Sequence, residues 1–328
     1  MTDSRWKWAA MLAIAGATLA PVGASPALAV DATPAAGSCA DLDVAATASA
    51  AAAWTDHAFT AEDAPEFDAV LAPDLVYHSA AFGDLDRAGW EAGQQQLAAA
   101  YPDGRITVNL TIVDAPYAVT QWTANATNEG EFQGTPAIGE AVSWDGINVF
   151  RFDCGRIVEA WTQLDQLGRN NPVPVPDTAT ASPSAPACAD PEAATDDEVE
   201  QLIRTWEEQG WNEADAAAID AITADDVLHH PPTGADTIGA DAIMSRVADF
   251  RAAMPDLINT YGEAMIDGNL GAARWTATGT DTGGVMGAEP TGKQITMDGI
   301  NIFRVSCGEI VEVWSEMDIL GMMAQLEG

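Results

Sequence analysis

The residues best placed to do chemistry come in matched pairs near the end of each half of the chain. Asp145 to Gly168 reads DGINVFRFDCGRIVEAWTQLDQLG and Asp298 to Gly321 reads DGINIFRVSCGEIVEVWSEMDILG, each with a tryptophan four residues ahead of an aspartate. Strand alternation puts Ile157, Glu159, Trp161, Gln163 and Asp165 on one face, opposite a packing face of Val158, Ala160, Thr162 and Leu164. The matching face of the second copy carries Ile310, Glu312, Trp314, Glu316 and Asp318. Carboxylates that share a face with an aromatic fit a polar-lined cavity, and a solvated face interrupted by one tryptophan fits nearly as well. At the mouth of an apolar pocket, desolvation raises a carboxylate's pKa. It can then take a proton from an activated carbon acid and return it. Asp165 and Asp318 are candidates for that role, with a turn or helix cap as the competing reading. Glu316 adds a carboxylate in the second copy only, because Gln163 stands in its place in the first.

Histidine is scarce, at four residues. LAPDLVYH and ITADDVLH align His78 with His229, and recurrence of so rare a residue suggests a hydrogen-bond partner or proton shuttle. A buried histidine satisfied by the backbone is the alternative. His230 has no counterpart in that alignment, and a metal site built from it, His229 and nearby acids is disfavoured. Trp122 aligns with Trp275 and Asn148 with Asn301. The tryptophans line or fill the core, with ligand contact as the second reading, and the asparagines could supply inward amides. Arg151 and Arg304 have the opposite parity and suit surface or interface ion pairs. No phosphate loop, dinucleotide fingerprint, GxSxG elbow or metalloprotease helix is present.

The elements that must position these residues are also stated twice. The two 24-residue stretches keep a constant offset of 153 residues and are identical at 15 of 24 positions, so the chain is a duplication. Each copy opens with helices: Ala-rich Val44 to Phe59 and Pro65 to Leu71 in the first, and in the second a segment capped by Asp196-Asp197-Glu198, followed by Asn212 to Ile222. A short extended stretch (Leu75 to His78, Asp226 to His229) precedes a third helix (Trp90 to Ala100, Ala240 to Ala253). Strands then alternate with glycine-rich turns; in the first copy they are Ile106–Val113, Tyr117–Ala126, Val142–Phe152 and Ile157–Gln163. Helices first and an antiparallel sheet afterwards predict an α+β fold, two tandem cone-shaped domains with a curved sheet wrapped over the helices.

Composition bounds the rest. Arg5 and Lys7, the apolar run Ala9 to Val22 and Ala27-Leu28-Ala29 have the form of a secretory signal peptide cleaved after Ala29. A lipoprotein anchored through Cys39 is disfavoured, and no stretch is suited to a membrane span. Residues 30–38 read as a flexible leader, 39–168 as domain 1, 169–187 as a Pro/Ser/Thr-rich linker and 188–328 as domain 2. Fifty acids against thirteen bases give a formal net charge of −37, which disfavours nucleic acid and anionic membranes as partners. Such a surface is a solubility adaptation or recruits a cationic partner. Cys39 and Cys188 precede each copy, while Cys154 and Cys307 sit in matching CG turns. Duplication favours the disulfides Cys39–Cys154 and Cys188–Cys307 in an oxidising compartment, worth roughly 3–5 kcal/mol each in the chain-entropy model. Wide spacing and the lack of CxxC argue against zinc.

GINIFRVSCGEIVEVWSEMDILGMMAQL, with the upstream WNEAD, DDVLHH, AMPD, WTATGT and PTGK, resembles the SnoaL-like polyketide cyclase (ester cyclase) family of the nuclear-transport-factor/ketosteroid-isomerase-like superfamily. The resemblance covers nearly all of the second copy, and the first from Phe59 onward. It implies a cone enclosing an apolar pocket, no metal or organic cofactor, and an aspartate of the W-x-x-x-D motif acting as general acid/base in an intramolecular aldol closure. That aspartate corresponds to Asp318, and to Asp165 in the first copy. The family's frequent histidine after the G-T pair is replaced by Asp281 and Asn128.

Together these readings lead us to expect an exported tandem protein that binds a small apolar carbonyl compound. Asp318 would transfer the proton, with His229 and Glu316 polarising the substrate and Asp165 and His78 as first-copy equivalents. Trp314, Glu312, Trp275 and Asn301 would contact ligand, as would Trp161, Glu159, Trp122 and Asn148. The rival is a non-catalytic binding module or a pseudo-dimer, intramolecular or homo-oligomeric, built for protein contacts.

Overall fold

The computed structural model describes residues 43–59, 69–170 and 194–327. The expected signal segment and leader, Cys39, Cys188 and residues 171–187 of the expected linker lie outside the described residues. The first half runs α1 (Val44–Asp56), a 3₁₀ turn (His57–Phe59), β1 (Leu71–Ser79), β2 (Gly83–Asp86), α2 (Arg87–Ala100), β3 (Arg105–Asp114), β4 (Tyr117–Thr127), β5 (Ala141–Asp153), β6 (Arg156–Leu164) and a 3₁₀ turn at Gly168–Asn170. The second runs α3 (Asp196–Arg204), a π-helix (Thr205–Asn212), α4 (Ala216–Ile222), β7 (Thr223–His230), β8 (Thr237–Ile238), α5 (Ala240–Ala253), β9 (Ile258–Tyr261), β10 (Met265–Asp267), β11 (Leu270–Thr280), β12 (Gln294–Ser306), β13 (Glu309–Met317) and α6 (Ile319–Glu327). The helix expected over Pro65 to Leu71 lies mostly outside the described residues, and Leu71 itself opens β1.

Each half is an α+β domain with one sheet. The orders are β2-β1-β6-β5-β4-β3 and β10-β11-β12-β13-β7-β8, with β9 also pairing β11. The β1–β6 and β13–β7 pairs are parallel and all the others antiparallel. In the second half, Thr195 closes a capping box with Glu198, and Asp196, Asp197 and Glu198 fill the first turn of α3, where the helix dipole favours anions. Val199, Ile203 and Trp206 from this helical run pack with Phe303, Val305 and Ile310 of the sheet. Helix does not continue unbroken from Asn212 to Ile222: the π-helix ends at Asn212, and Asp215 caps α4 by accepting from Ala217 N and Ala218 N.

The outer faces of the two sheets meet. Ile112, Val119, Ile147, Val149 and Trp161 of the first form one buried cluster with Met265, Ala272, Ile300, Ile302 and Trp314 of the second. The seam is reciprocal. Asp114 accepts from Ile266 N at 2.9 Å, and Asp267, 153 residues on, accepts from Val113 N at 3.2 Å. Self-matching contacts of this kind mark a two-fold interface, so the duplication has folded as an intramolecular pseudo-dimer.

Candidate functional site

Which strand face meets the cavity is decided by a bulge. In both hairpins the pairing skips one residue, Val158 between Ile157 and Glu159, and Val311 between Ile310 and Glu312. An extra residue reverses alternation for everything on one side of it. Ile157 and Ile310 therefore point into the domain cores, whereas Glu159, Trp161, Glu312 and Trp314 turn to the outer face. The face that sequence assigned to packing carries the cavity: Thr162 and Leu164 line one, Ser315 and Met317 the other.

The second cavity, about 40 Å³, lies between the helices and the inner face of the sheet. Glu207 enters it from the π-helix with no exposed surface. Its two oxygens accept from Asn301 Nδ2 at 2.8 Å and Asn259 Nδ2 at 2.5 Å. Asn259 is fixed in turn, because Asn212 donates to its carbonyl at 2.8 Å and accepts from its N–H at 2.7 Å. Burial pushes the Glu207 carboxyl up to about 7, against the lowering effect of the two amides. His229 donates to or accepts from Ser315 Oγ at 3.1 Å through Nε2, and its buried Nδ1 has no partner. Burial, then the charges of Arg246 and His230, push His229 down to about 3, so it is neutral at ordinary pH. Arg246 lines the same space, and among the described residues its hydrogen bonds are two long ones, 3.4 Å, to Thr233. Trp211, Phe250, Trp275, Met297 and Met317 supply apolar wall.

The first cavity, about 60 Å³, is built from equivalent positions with different chemistry. Thr55 stands where the second copy has Glu207, Tyr77 where it has His229, and Thr162 where it has Ser315. Here the central amide and its neighbouring hydroxyls close on themselves, while Trp122 Nε1 and Arg169 Nε stay without a partner. Asn148 donates to Thr55 Oγ1 at 3.2 Å and Thr120 Oγ1 at 3.3 Å, and accepts from Thr162 Oγ1 at 2.8 Å. Trp122 and Trp275 line their respective cavities, as do Asn148 and Asn301. Each indole lies where a Cβ on the facing Gly146 or Gly299 would sit, so those glycines make room for it.

The remaining expected site residues are elsewhere. Strand register pairs His78 with Trp161 and His230 with Trp314, so the equivalent of His78 is His230, and the alignment with His229 is one residue out. His78 bonds Asp84 at 2.8 Å and Glu159 at 3.0 Å, and His230 bonds Asp236 and Glu312, each at 3.0 Å. Arg151 and Arg304 complete these networks on Glu159 and Glu312, each at 2.9 Å, while Trp161 and Trp314 stack on the two imidazoles. Burial opposes charge on His78 and His230, but their carboxylate partners outweigh it and raise both.

Glu316 is buried on the seam side, pushed well up by burial and then by Asp165 and Asp145 of the other domain. Asp165 and Asp318 cap turns, accepting from Gly168 N at 2.7 Å and Gly321 N at 2.8 Å, and line neither cavity. Burial nevertheless pushes Asp318 up to about 6. Asp281 and Asn128 organise loops: Asp281 accepts from Gly284, Val285 and Thr291, and Asn128 bonds Tyr101 and Ile138. Among the described residues no cysteine is free. Among the described residues no group of His, Cys, Asp and Glu could hold a metal ion, and no helix is long and apolar enough to cross a membrane.

Glu207, Asn259 and Arg246 escape a reading centred on the last strand. Glu207 leaves a trace in the sequence, because it follows Val199 and Ile203 at four-residue steps on the buried stripe, where a carboxylate is out of place.

Residues 49–170 and 201–326 each match the family model described as SnoaL-like polyketide cyclase. Among solved structures the chain is similar to TsrD from Streptomyces laurentii, at 26% identity over 40% of this chain and 97% of that one, with a TM-score of 0.38. It is similar to wild-type IdmH, a putative polyketide cyclase from Streptomyces antibioticus, at 28% identity over 39% and 98%, with a TM-score of 0.36. A protein from Catenulispora acidiphila with a ketosteroid isomerase-like fold, in complex with trimethylamine, matches at 16% identity over 39% and 92%, with a TM-score of 0.34. None of the curated proteins matches the chain.

Proposed function

The chain belongs to the SnoaL-like polyketide cyclase family in both of its domains, and on that premise we propose that the second domain moves a proton next to a carbonyl in a small polyketide-like molecule. The observation that carries this reading is Glu207, a fully buried cavity carboxylate held by two amides with its pKa at about 7. A base with that pKa is half-ionised near neutrality, where general-base catalysis is most effective. Glu207 takes the α-proton, the C–H pair becomes the enolate, and negative charge develops on the carbonyl oxygen. Arg246 and neutral His229 line the same cavity and are the groups available to stabilise that charge. In a ring closure the enolate carbon attacks a second carbonyl of the same molecule, and the new alkoxide receives the proton back from Glu207. The narrow cavity suits one end of a ligand, and Met297 and Met317 are flexible enough to make way for more.

A second reading keeps Asp318 as the base, favoured by its raised pKa of about 6. The two separate in an exchange experiment in which β-tetralone is incubated with the protein in D₂O and loss of its α-proton signals is followed by NMR. Glu207→Gln should slow exchange by roughly 10²–10⁴-fold while Asp318→Asn leaves it near wild type. The reverse result would transfer the role to Asp318, and no exchange by the wild type would leave a binding module. We also propose export, on the Arg5/Lys7, Ala9–Val22 and Ala27-Leu28-Ala29 pattern. The intact mass of protein from the culture medium should then match a chain starting at Val30 and be four hydrogen atoms lighter than the reduced chain, as the pairs Cys39–Cys154 and Cys188–Cys307 require.

A further inference from the structure

We propose that the cavity of the first domain is a binding site for a compact, flat, apolar carboxylate, with Arg169 receiving the carboxylate group. Sequence had placed Arg169 at the start of the linker, yet it is only 2% exposed and lines this cavity. Its guanidinium lies over the Phe132 ring, 4.5 Å from the centroid, and Nη2 donates to Gln133 Oε1 at 3.1 Å. Nε is buried without a partner, and among the described residues no carboxylate is in ion-pair contact with the group. Asp165 is felt electrostatically, but its Oδ1 is taken by Gly168 N.

A buried guanidinium without a counter-ion costs several kcal/mol, and the fold does not need one here. The equivalent position of the second domain, 153 residues on, is Met322, which is buried in an apolar cluster. A bound anion would remove that cost, and the planar guanidinium fork matches a carboxylate. The rest of the ligand is specified by the walls, where Phe59, Phe82, Trp122, Phe132 and Trp144 offer ring faces and edges. The second cavity sets Glu207 and Arg246 in the same space, so its cation is offset by a carboxylate of its own.

The test compares naphthoate with neutral naphthamide on the full chain by isothermal titration calorimetry. Wild type should bind naphthoate at least about tenfold more tightly than naphthamide, a difference of about 1.4 kcal/mol. Arg169→Met should erase that preference, and Arg169→Lys, which keeps the charge but not the fork, should reduce it. Arg169→Met should melt no lower than wild type because it removes a buried charge; if it fails to fold, Arg169→Lys alone decides. The loss of naphthoate preference on Arg169→Met should be the same in wild-type and Glu207→Gln backgrounds, so this inference can fail without touching the proton-transfer reading. Equal affinity for acid and amide, a preference that survives both substitutions, or no naphthoate binding would each overturn it.

Discussion

The two cavities stand on the same backbone and differ in how their polar groups are satisfied. In the first domain, Asn148, Thr55, Thr120 and Thr162 form a closed set in which the amide uses both its donor and its acceptor. In the second, Ser315 turns to His229, and Asn301 spends its Nδ2 on Glu207, which leaves Asn301 Oδ1, Asn259 Oδ1 and His229 Nδ1 buried without partners. Unpartnered buried polar atoms cost free energy and call for an explanation. A ligand that hydrogen-bonds to them supplies one. Duplication thus produced one closed polar network beside the buried cation Arg169 and one open network around a titrating acid.

This difference can be broken most forcefully at Glu207. Its folded pKa of about 7 lies above the ordinary 4.5, so between those values the folded chain holds a proton that the unfolded chain has released. Stability therefore falls as pH rises from about 4.5 to about 7, by an order of 3 kcal/mol in all. Glu207→Gln should remove that slope. Its melting temperature should exceed that of wild type by roughly 10 °C at about pH 8 and converge with it near pH 4. A parallel pair of pH curves would mean that Glu207 is not the buried acid described.

A smaller effect sharpens the same contrast. Asn301→Leu deprives the Glu207 carboxylate of a donor, so it should destabilise more at pH 8 than at pH 5, by about 1–3 kcal/mol at the higher pH. Asn148→Leu disturbs only hydroxyls and should cost a similar amount at both, as read by urea denaturation. Equal pH behaviour of the two variants would erase the distinction between the networks.

Much of the fold was legible because duplication and alternation are strong signals. The expected strands of the first copy lie within β3 to β6, and the helix Ala240 to Ala253 has the observed limits. The site was harder to read for a definite reason. One unpaired residue, Val158 or Val311, inverts the faces of the final strand, and nothing in the local sequence announces it. β1 and β7 carry matching irregularities and stay 152 residues apart, so the histidine alignment was one residue out for another reason: the adjacent pair His229-His230 offers two matches to His78, and local similarity favours the wrong one. Asn148 and Trp122 lie in the β4–β5 pairing, which runs without a bulge, and both line the first cavity. The mixed acidic and aromatic face was a real signal, but of ion-pair networks and a domain seam.

The most direct test is a carbon-13 NMR titration of the glutamate carboxyl groups in wild type and Glu207→Gln. One resonance in wild type should titrate near pH 7 and be absent from the variant, while that of Glu316, which is also raised, persists in both. If no resonance that titrates above about pH 6 is lost in the variant, Glu207 is not the poised acid, and the asymmetry between the two cavities loses its chemical meaning.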